Sequence, residues 1–273
     1  LVASGVTAVG EIDSTGRTLA ALRALPMAGR CYRELTGYHL SGAAARSHAR
    51  ACWPAAPSSM LKGLSPHAPY SVSDAPLQRV RTLSDELDIP IHIHVHETLD
   101  EIRDGETRHG KRPLQRLDDL GLLSPALLGV HMVHLEDREI ALAAQRGVRV
   151  VHCPESNLKL GSGFCRVGDL LDAGVEVALG TDGAASNNDL DLLGELRTAA
   201  LLAKGLRADS RVLPAEQALH MATLGGARAL GLDNDIGSLT PGKAADIVAI
   251  DLQHPQTQPL YHPVSQVVYA AGR

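Results

Sequence analysis

Short apolar runs alternate with amphipathic helical stretches along most of this chain, and that alternation restricts the fold more than any single motif. Strand-like runs lie at Val6 to Ile12, Arg30 to Leu35, Leu61 to His67, Pro90 to His96, Leu127 to Val133, Val148 to Cys153 and Val175 to Leu179. Between them the pattern predicts helices over Thr15 to Leu25, Asp74 to Asp88, around Asp100, Pro113 to Leu120, Glu136 to Arg146, Val167 to Ala173 and Leu190 to Lys204. Strands and helices in this order make parallel βαβ units, an α/β fold. Seven strands fall one short of a closed (β/α)8 barrel. If Asp182 ends the eighth, the absent strand is the first.

The remaining stretches are less regular. Leu1 to Ala3 reads as the tail of a helix stopped by Gly5, Thr36 to Met60 as weak helix and loop, and PESNLKLGSG after Cys153 as loop. One further helix is expected over Pro214 to Leu230. Beyond it, Ala245 to Leu252 and Val267 to Ala270 read as strands of a small β region outside the barrel. Residues 1–232 are therefore assigned to the barrel and 233–273 to part of a second, β-type unit.

Composition closes off several function classes. With 273 residues the chain can bury a full core. A net charge of −5 and 3% aromatic residues give no basic surface interleaved with stacking rings, so a nucleic-acid partner is not expected. No apolar run approaches the roughly 18 residues of a membrane span. Cys31, Cys52, Cys153 and Cys165 form no C-x-x-C pair, which removes a cysteine zinc site and fits a reducing cytoplasm. The anomaly is thirteen histidines, several of them closing apolar runs. His39 and His48 lie in the irregular stretch and carry no role.

Position selects among the others. Side chains alternate along a strand, so His92, His94 and His96 share one face, which in a barrel with an apolar outer layer faces inward. His67, His131 and His152 stand at or near the carboxyl ends of three more strands, and Asp182 follows Gly180 at the end of another. Barrel chemistry is built at those ends. Imidazoles beside a carboxylate are the donors that zinc and similar ions take. Each histidine alone is explained as readily by core packing; five strand ends carrying such groups together favour a metal site. The turn Ser186 to Asp189 is expected to accept from the first N–H groups of the following helix. Arg30 and Arg33 read as solvated.

The segments SPHAPYSVS, HVHET, HMVHL, HCPESNLKLGSG, GTDGAASNNDLDLLGELRTAALLAK and GSLTPGKAADIVAID, in that order, resemble the amidohydrolase superfamily. Within it they are most similar to the methylthioadenosine/S-adenosylhomocysteine deaminases, relatives of the chlorohydrolases and triazine hydrolases. The likeness covers most of Ser65 to Arg273. It implies a TIM-type barrel of the metal-dependent hydrolase kind with part of a β-sandwich domain at the carboxyl end. It implies His94 and Asp182 as ligands of one divalent ion, zinc first and iron second, with Glu97 as proton shuttle touching the purine. His131 would orient the attacking water and His67 would contact the sugar, while His92 and His96 carry no role.

The family pattern also has an H-x-H ligand pair on the first strand, which this sequence does not contain. The chain is therefore expected to be an internal piece of a longer enzyme that alone binds metal weakly and does not turn over. The implied reaction converts the adenine ring of S-adenosylhomocysteine, methylthioadenosine or adenosine to hypoxanthine with release of ammonia. A guanine-type or triazine deaminase or chlorohydrolase on the same barrel is the alternative, and a catalytically silent barrel kept for binding is a third. The partner expected is a small aminopurine nucleoside; homo-oligomerisation is compatible with it.

Overall fold

Seven strands pair in parallel in the order of the chain. They are β1 (Ala8–Asp13), β2 (Ala28–Leu35), β3 (Met60–Pro66), β4 (Ile91–Val95), β5 (Leu127–His131), β6 (Arg149–His152) and β7 (Val177–Leu179). The computed structural model describes residues 1–15, 17–22, 24–25, 27–36 and 60–272. The expected irregular stretch at Thr36 to Met60, with His39 and His48, lies almost wholly outside the described residues. Helix α1 (Thr18–Leu22) follows β1, and α2 (Asp74–Leu87) follows β3. Next come α3 (Leu99–His109), α4 (Pro113–Asp119), α5 (Asp137–Arg146), α6 (Pro154–Lys159) and α7 (Val167–Asp172). After β7 come α8 (Ala184–Asn187), α9 (Leu192–Arg207), α10 (Ala215–Ala222), α11 (Leu224–Leu230) and α12 (Pro263–Tyr269).

The sheet curls because each strand carries two kinds of side chain. On β4, Ile91, Ile93 and Val95 are wholly buried against the helix layer with Leu77 and Leu83 of α2 and Leu114 and Leu117 of α4. Burying each such leucine stabilises the fold by roughly 1.5–3 kcal/mol. The alternate residues turn to the inside of the curl, where Tyr32, Leu128, Ala178 and Ala229 pack as its floor. A side chain at Gly63 would meet the Tyr32 ring 2.3 Å from its Cβ, so glycine there lets β2 and β3 carry that ring between them. The result is a parallel seven-stranded half-barrel. Among the described residues no helix is long and apolar enough to cross a membrane.

Several expectations are corrected. PESNLK is helix α6, not loop. The single helix over Pro214 to Leu230 breaks at Thr223, whose φ and ψ of −118° and −94° end α10 and start α11. No strand forms over residues 245–252, and Val267 lies in α12, whose Val268 is wholly buried in the main core. The expected β-sandwich strands are therefore not observed among the described residues. Arg30 and Arg33 are buried, 9% and 5% exposed, and bonded to carbonyls: Arg30 donates to Leu230 and Lys62, Arg33 to Asp13. In the turn before α9, Asn187 Oδ1 accepts from Asp189 and Leu190, but the helix cap itself is Asp191, accepting from Leu193 N at 3.1 Å.

Candidate active site

A cavity of about 1090 Å³ occupies the inside of the half-barrel, and His67, His92, His94, Glu97, His131 and Asp182 all line it. The alternation on β4 sends His92 and His94 into it as expected. His92 lies deeper, with Nδ1 3.3 Å from Ser65 Oγ and its ring 5.2 Å from that of Tyr32. His94 stands above, its ring 5.1 Å from His67 and 5.6 Å from His131 in a stacked arrangement.

His96 corrects the simple alternation. The strand ends at Val95, and His96 has φ of 57°, which turns its ring out of the cavity into the helix layer. There Nδ1 faces the His134 carbonyl at 3.0 Å and Nε2 accepts from Leu114 N at 3.0 Å. Period two holds only while the backbone is extended. His152 is the second correction. It ends β6 on the outward phase, beside Val150 rather than Val151, and is buried in the helix layer; burial pushes its pKa down to about 3. A place at a strand end does not fix the side to which a side chain points.

Hydrogen bonds set the state of the groups that remain. The His67 carbonyl accepts from His94 N at 3.1 Å and lies 2.7 Å from His94 Nδ1. A carbonyl only accepts, so Nδ1 carries the proton and Nε2 keeps its lone pair. Burial, then the charge of His131, holds His94 below the usual imidazole value, and burial followed by His94 does the same to His67. Both rings are therefore neutral near pH 7. His131 Nε2 lies 3.8 Å from Glu97 Oε2. Asp182 accepts from Ser156 Oγ at 2.7 Å and from Gly183 N at 2.7 Å. Cys153, also on the wall, is raised well above the usual thiol value by burial, so it stays a thiol and offers no thiolate nucleophile.

The backbone bends where these groups leave the sheet. His131, Met132 and Asp182 have φ of 73°, 48° and 60°. Non-glycine residues rarely adopt such values, and each costs on the order of 1–3 kcal/mol, a strain that collects at functional sites. A neutral imidazole with a free Nε2 next to a carboxylate is a donor pair suited to zinc, and the second partner fixing His94 Nδ1 is what metal-bound histidines have. Those two side chains fit as part of a ligand set. Among the described residues no group of three or more His, Cys, Asp or Glu side chains is placed to hold an ion by itself.

Reading the sequence missed two features of this wall. Glu34, at the carboxyl end of β2, lines the cavity, accepts from Ser14 Oγ and bears on the charge state of His67. Its alternation with Tyr32 in CYRELT was the available signal. The other is the pair Ser156 and Asn157, which a loop assignment left without direction.

A parallel α/β half-barrel with histidines and carboxylates gathered at the carboxyl ends of its strands is the architecture of barrel hydrolases. The chain belongs to the amidohydrolase family, whose model matches residues 1–271. It is 53% identical over 204 residues to the 5-methylthioadenosine/S-adenosylhomocysteine deaminase of Teredinibacter turnerae, covering 75% of this chain and 46% of that protein. It is 47% identical over 209 residues to the 5'-deoxyadenosine deaminase of Methanothermobacter thermautotrophicus, covering 77% and 48%. The chain thus spans about half the length of the curated relatives it matches. A crystal structure of an adenosine deaminase from Xanthomonas campestris with bound zinc superposes with a TM-score of 0.91 at 45% identity, over 99% of this chain and 63% of that one. An atrazine chlorohydrolase from Arthrobacter aurescens TC1 complexed with zinc gives 0.92 at 23% identity, over 99% and 66%, a likeness of fold.

Proposed function

We propose that this chain carries the hydrolytic site of a metal-dependent deaminase acting on 6-aminopurine nucleosides, with methylthioadenosine, S-adenosylhomocysteine, 5'-deoxyadenosine and adenosine as the candidate substrates. The observation that carries the reading is the convergence of His94, Glu97, His131 and Asp182 on one cavity, in a chain half identical to deaminases of that kind. His94, through Nε2, and Asp182 would hold a divalent ion, zinc before iron. Such an ion lowers the pKa of bound water towards about 7.

The side chains divide the proton transfers. Asp182 takes a proton from the attacking water as its oxygen adds to C6 of the purine. Glu97 delivers its proton to the ring nitrogen beside C6, takes the proton of the new C6 hydroxyl and passes it to the amino group. The C6–N bond then breaks with ammonia as the leaving group, and the proton held by Asp182 returns to Glu97. His131, within 3.8 Å of Glu97, orients the water. His67, held by Ser71 Oγ at 2.8 Å, contacts the sugar. The products are the hypoxanthine nucleoside and ammonia.

The test is ammonia release by the intact gene product, zinc-loaded, with the Glu97→Gln and Asp182→Asn variants beside it. Loss of a positioned acid or base costs typically 10²–10⁴-fold, and that loss in kcat is expected for Glu97→Gln with little change in KM. Deamination that survives both substitutions would overturn these roles.

A further inference from the structure

Helix α6 begins immediately after β6, and two of its consecutive residues reach groups on two different strands. Ser156 Oγ donates to Asp182 Oδ2, past the end of β7, at 2.7 Å, while Asn157 Oδ1 stands 2.8 Å from His131 Nδ1 at the end of β5. Neighbouring side chains on a helix diverge by about 100°. One turn can serve both groups only from between them, and β6 is the strand that lies between β5 and β7. Both side chains are buried, 0% and 1% exposed, so water does not compete for these bonds.

The helix is itself held. Glu195 of α9, wholly buried, accepts from Glu155 N at 3.1 Å and from the Asn187 amide of α8, and Thr198 Oγ1 donates to the Glu155 carboxylate at 2.8 Å. The two helices that follow Asp182, α8 and α9, are thereby tied to α6.

The amide of Asn157 decides what His131 offers the cavity. With Oδ1 toward the ring, Nδ1 must carry the proton, and Nε2 presents a lone pair on the Glu97 side. The reversed amide would make Nδ1 the acceptor and place the proton on Nε2. Asn157 Nδ2 has no partner among the described residues, so this amide makes its only side-chain bond to His131.

We propose that Ser156 and Asn157 are positioning residues: Ser156 holds the Asp182 carboxylate in its orientation, and Asn157 holds His131 as the Nδ1–H tautomer with the Nε2 lone pair toward the reacting water. This rests on the deaminase reading of the site. An Nε2 lone pair accepts a hydrogen bond from the water and cannot donate one to it, so the water's own lone pair stays directed at the purine.

The test uses the intact gene product, zinc-loaded and with nitrogen-labelled histidine. Ring-nitrogen chemical shifts of His131 in the unsubstituted protein are expected to report protonation at Nδ1. Asn157→Leu is expected to lose that preference and about 100-fold in kcat with KM within about twofold, and Asn157→Asp, which keeps the acceptor, to restore both. Ser156→Ala is expected to weaken zinc binding by about 10-fold or more in a competition titration, and Ser156→Thr to recover it. Protonation of His131 at Nε2, an unchanged tautomer and kcat in Asn157→Leu, or unchanged zinc affinity in Ser156→Ala would each overturn the proposal. Failure of the underlying reading looks different: no aminopurine yields ammonia with the unsubstituted protein, while the tautomer and zinc titrations still decide the positions of these two residues.

Discussion

Two buried carboxylates lie under the site and touch backbone rather than cavity. Glu101 Oε1 accepts from His96 N at 2.9 Å and Oε2 from Glu97 N at 2.8 Å, fixing the bend that turns His96 out and Glu97 in. Glu195 performs the corresponding task for α6. Burial raises Glu101 to about 7 and Glu195 to about 8. A carboxyl group raised in the folded chain favours folding fully below its unfolded value, near 4.5, and that contribution disappears as pH rises through the folded value. Glu195 therefore makes the protein less stable between about pH 5 and pH 9. Glu195→Gln is expected to remove roughly 2–4 kcal/mol of that fall, read from urea unfolding at the two ends of the window. Parallel pH profiles for the two proteins would contradict the assignment. Nothing in the spacing of Glu101 or Glu195 marks them in the sequence. His94 was legible from strand-end position and side-chain phase together, His67, His131 and Asp182 from strand-end position, and Glu97 only through the family resemblance. His96 met both conditions in the sequence and is turned out by its φ of 57°, and His152 stands at a strand end on the outward phase.

At the scale of elements, Arg116 of α4 joins the helix layer to the loop that carries His67. Its guanidinium donates to Asp74 at 2.8 and 2.6 Å and to the carbonyls of Pro69 and Val72. The side chain is 4% exposed, so removing it leaves carbonyls dry and unpaired. Arg116→Met is expected to cost about 2–4 kcal/mol in denaturant unfolding and to raise KM more than it lowers kcat, because the His67 loop loosens while Glu97 and Asp182 stay in place. A cost below about 0.5 kcal/mol would show that the loop stands without it. The seven strands and the longer helices were readable because burial on one face imposes a period. Helix α6 was not: Pro-Glu-Ser-Asn-Leu-Lys has loop composition, and its helix rests on Pro154 in the first turn and on the bonds to Asp182, His131 and Glu195. In α12 the β-branched Val267 and Val268 suggest a strand, but burial of Val268 and the cap at Ser265 N from His262 decide for helix.

For the molecule as a whole, seven parallel strands bring one neutral imidazole with a free Nε2, that of His94, onto one cavity with a second histidine, His131, and the carboxylates Glu97 and Asp182. The same curl packs Tyr32, Leu128 and Ala178 as a largely apolar floor below His94 and Asp182, with His92 the imidazole that reaches down beside Tyr32. Membership of the amidohydrolase family follows from the match over residues 1–271. The sheet runs from β1 to β7 in the order of the chain. The central claim is hydrolysis at C6 of an aminopurine nucleoside. Its most direct test is to incubate the intact, zinc-loaded gene product with methylthioadenosine, S-adenosylhomocysteine, 5'-deoxyadenosine, adenosine and, as controls, guanine and a chlorinated triazine, in heavy-oxygen water, and to weigh the products. The account predicts one solvent oxygen in the hypoxanthine product and one ammonia released per turnover from the adenine nucleosides. Label entering only guanine or the triazine, or no label entering any of them, would contradict it.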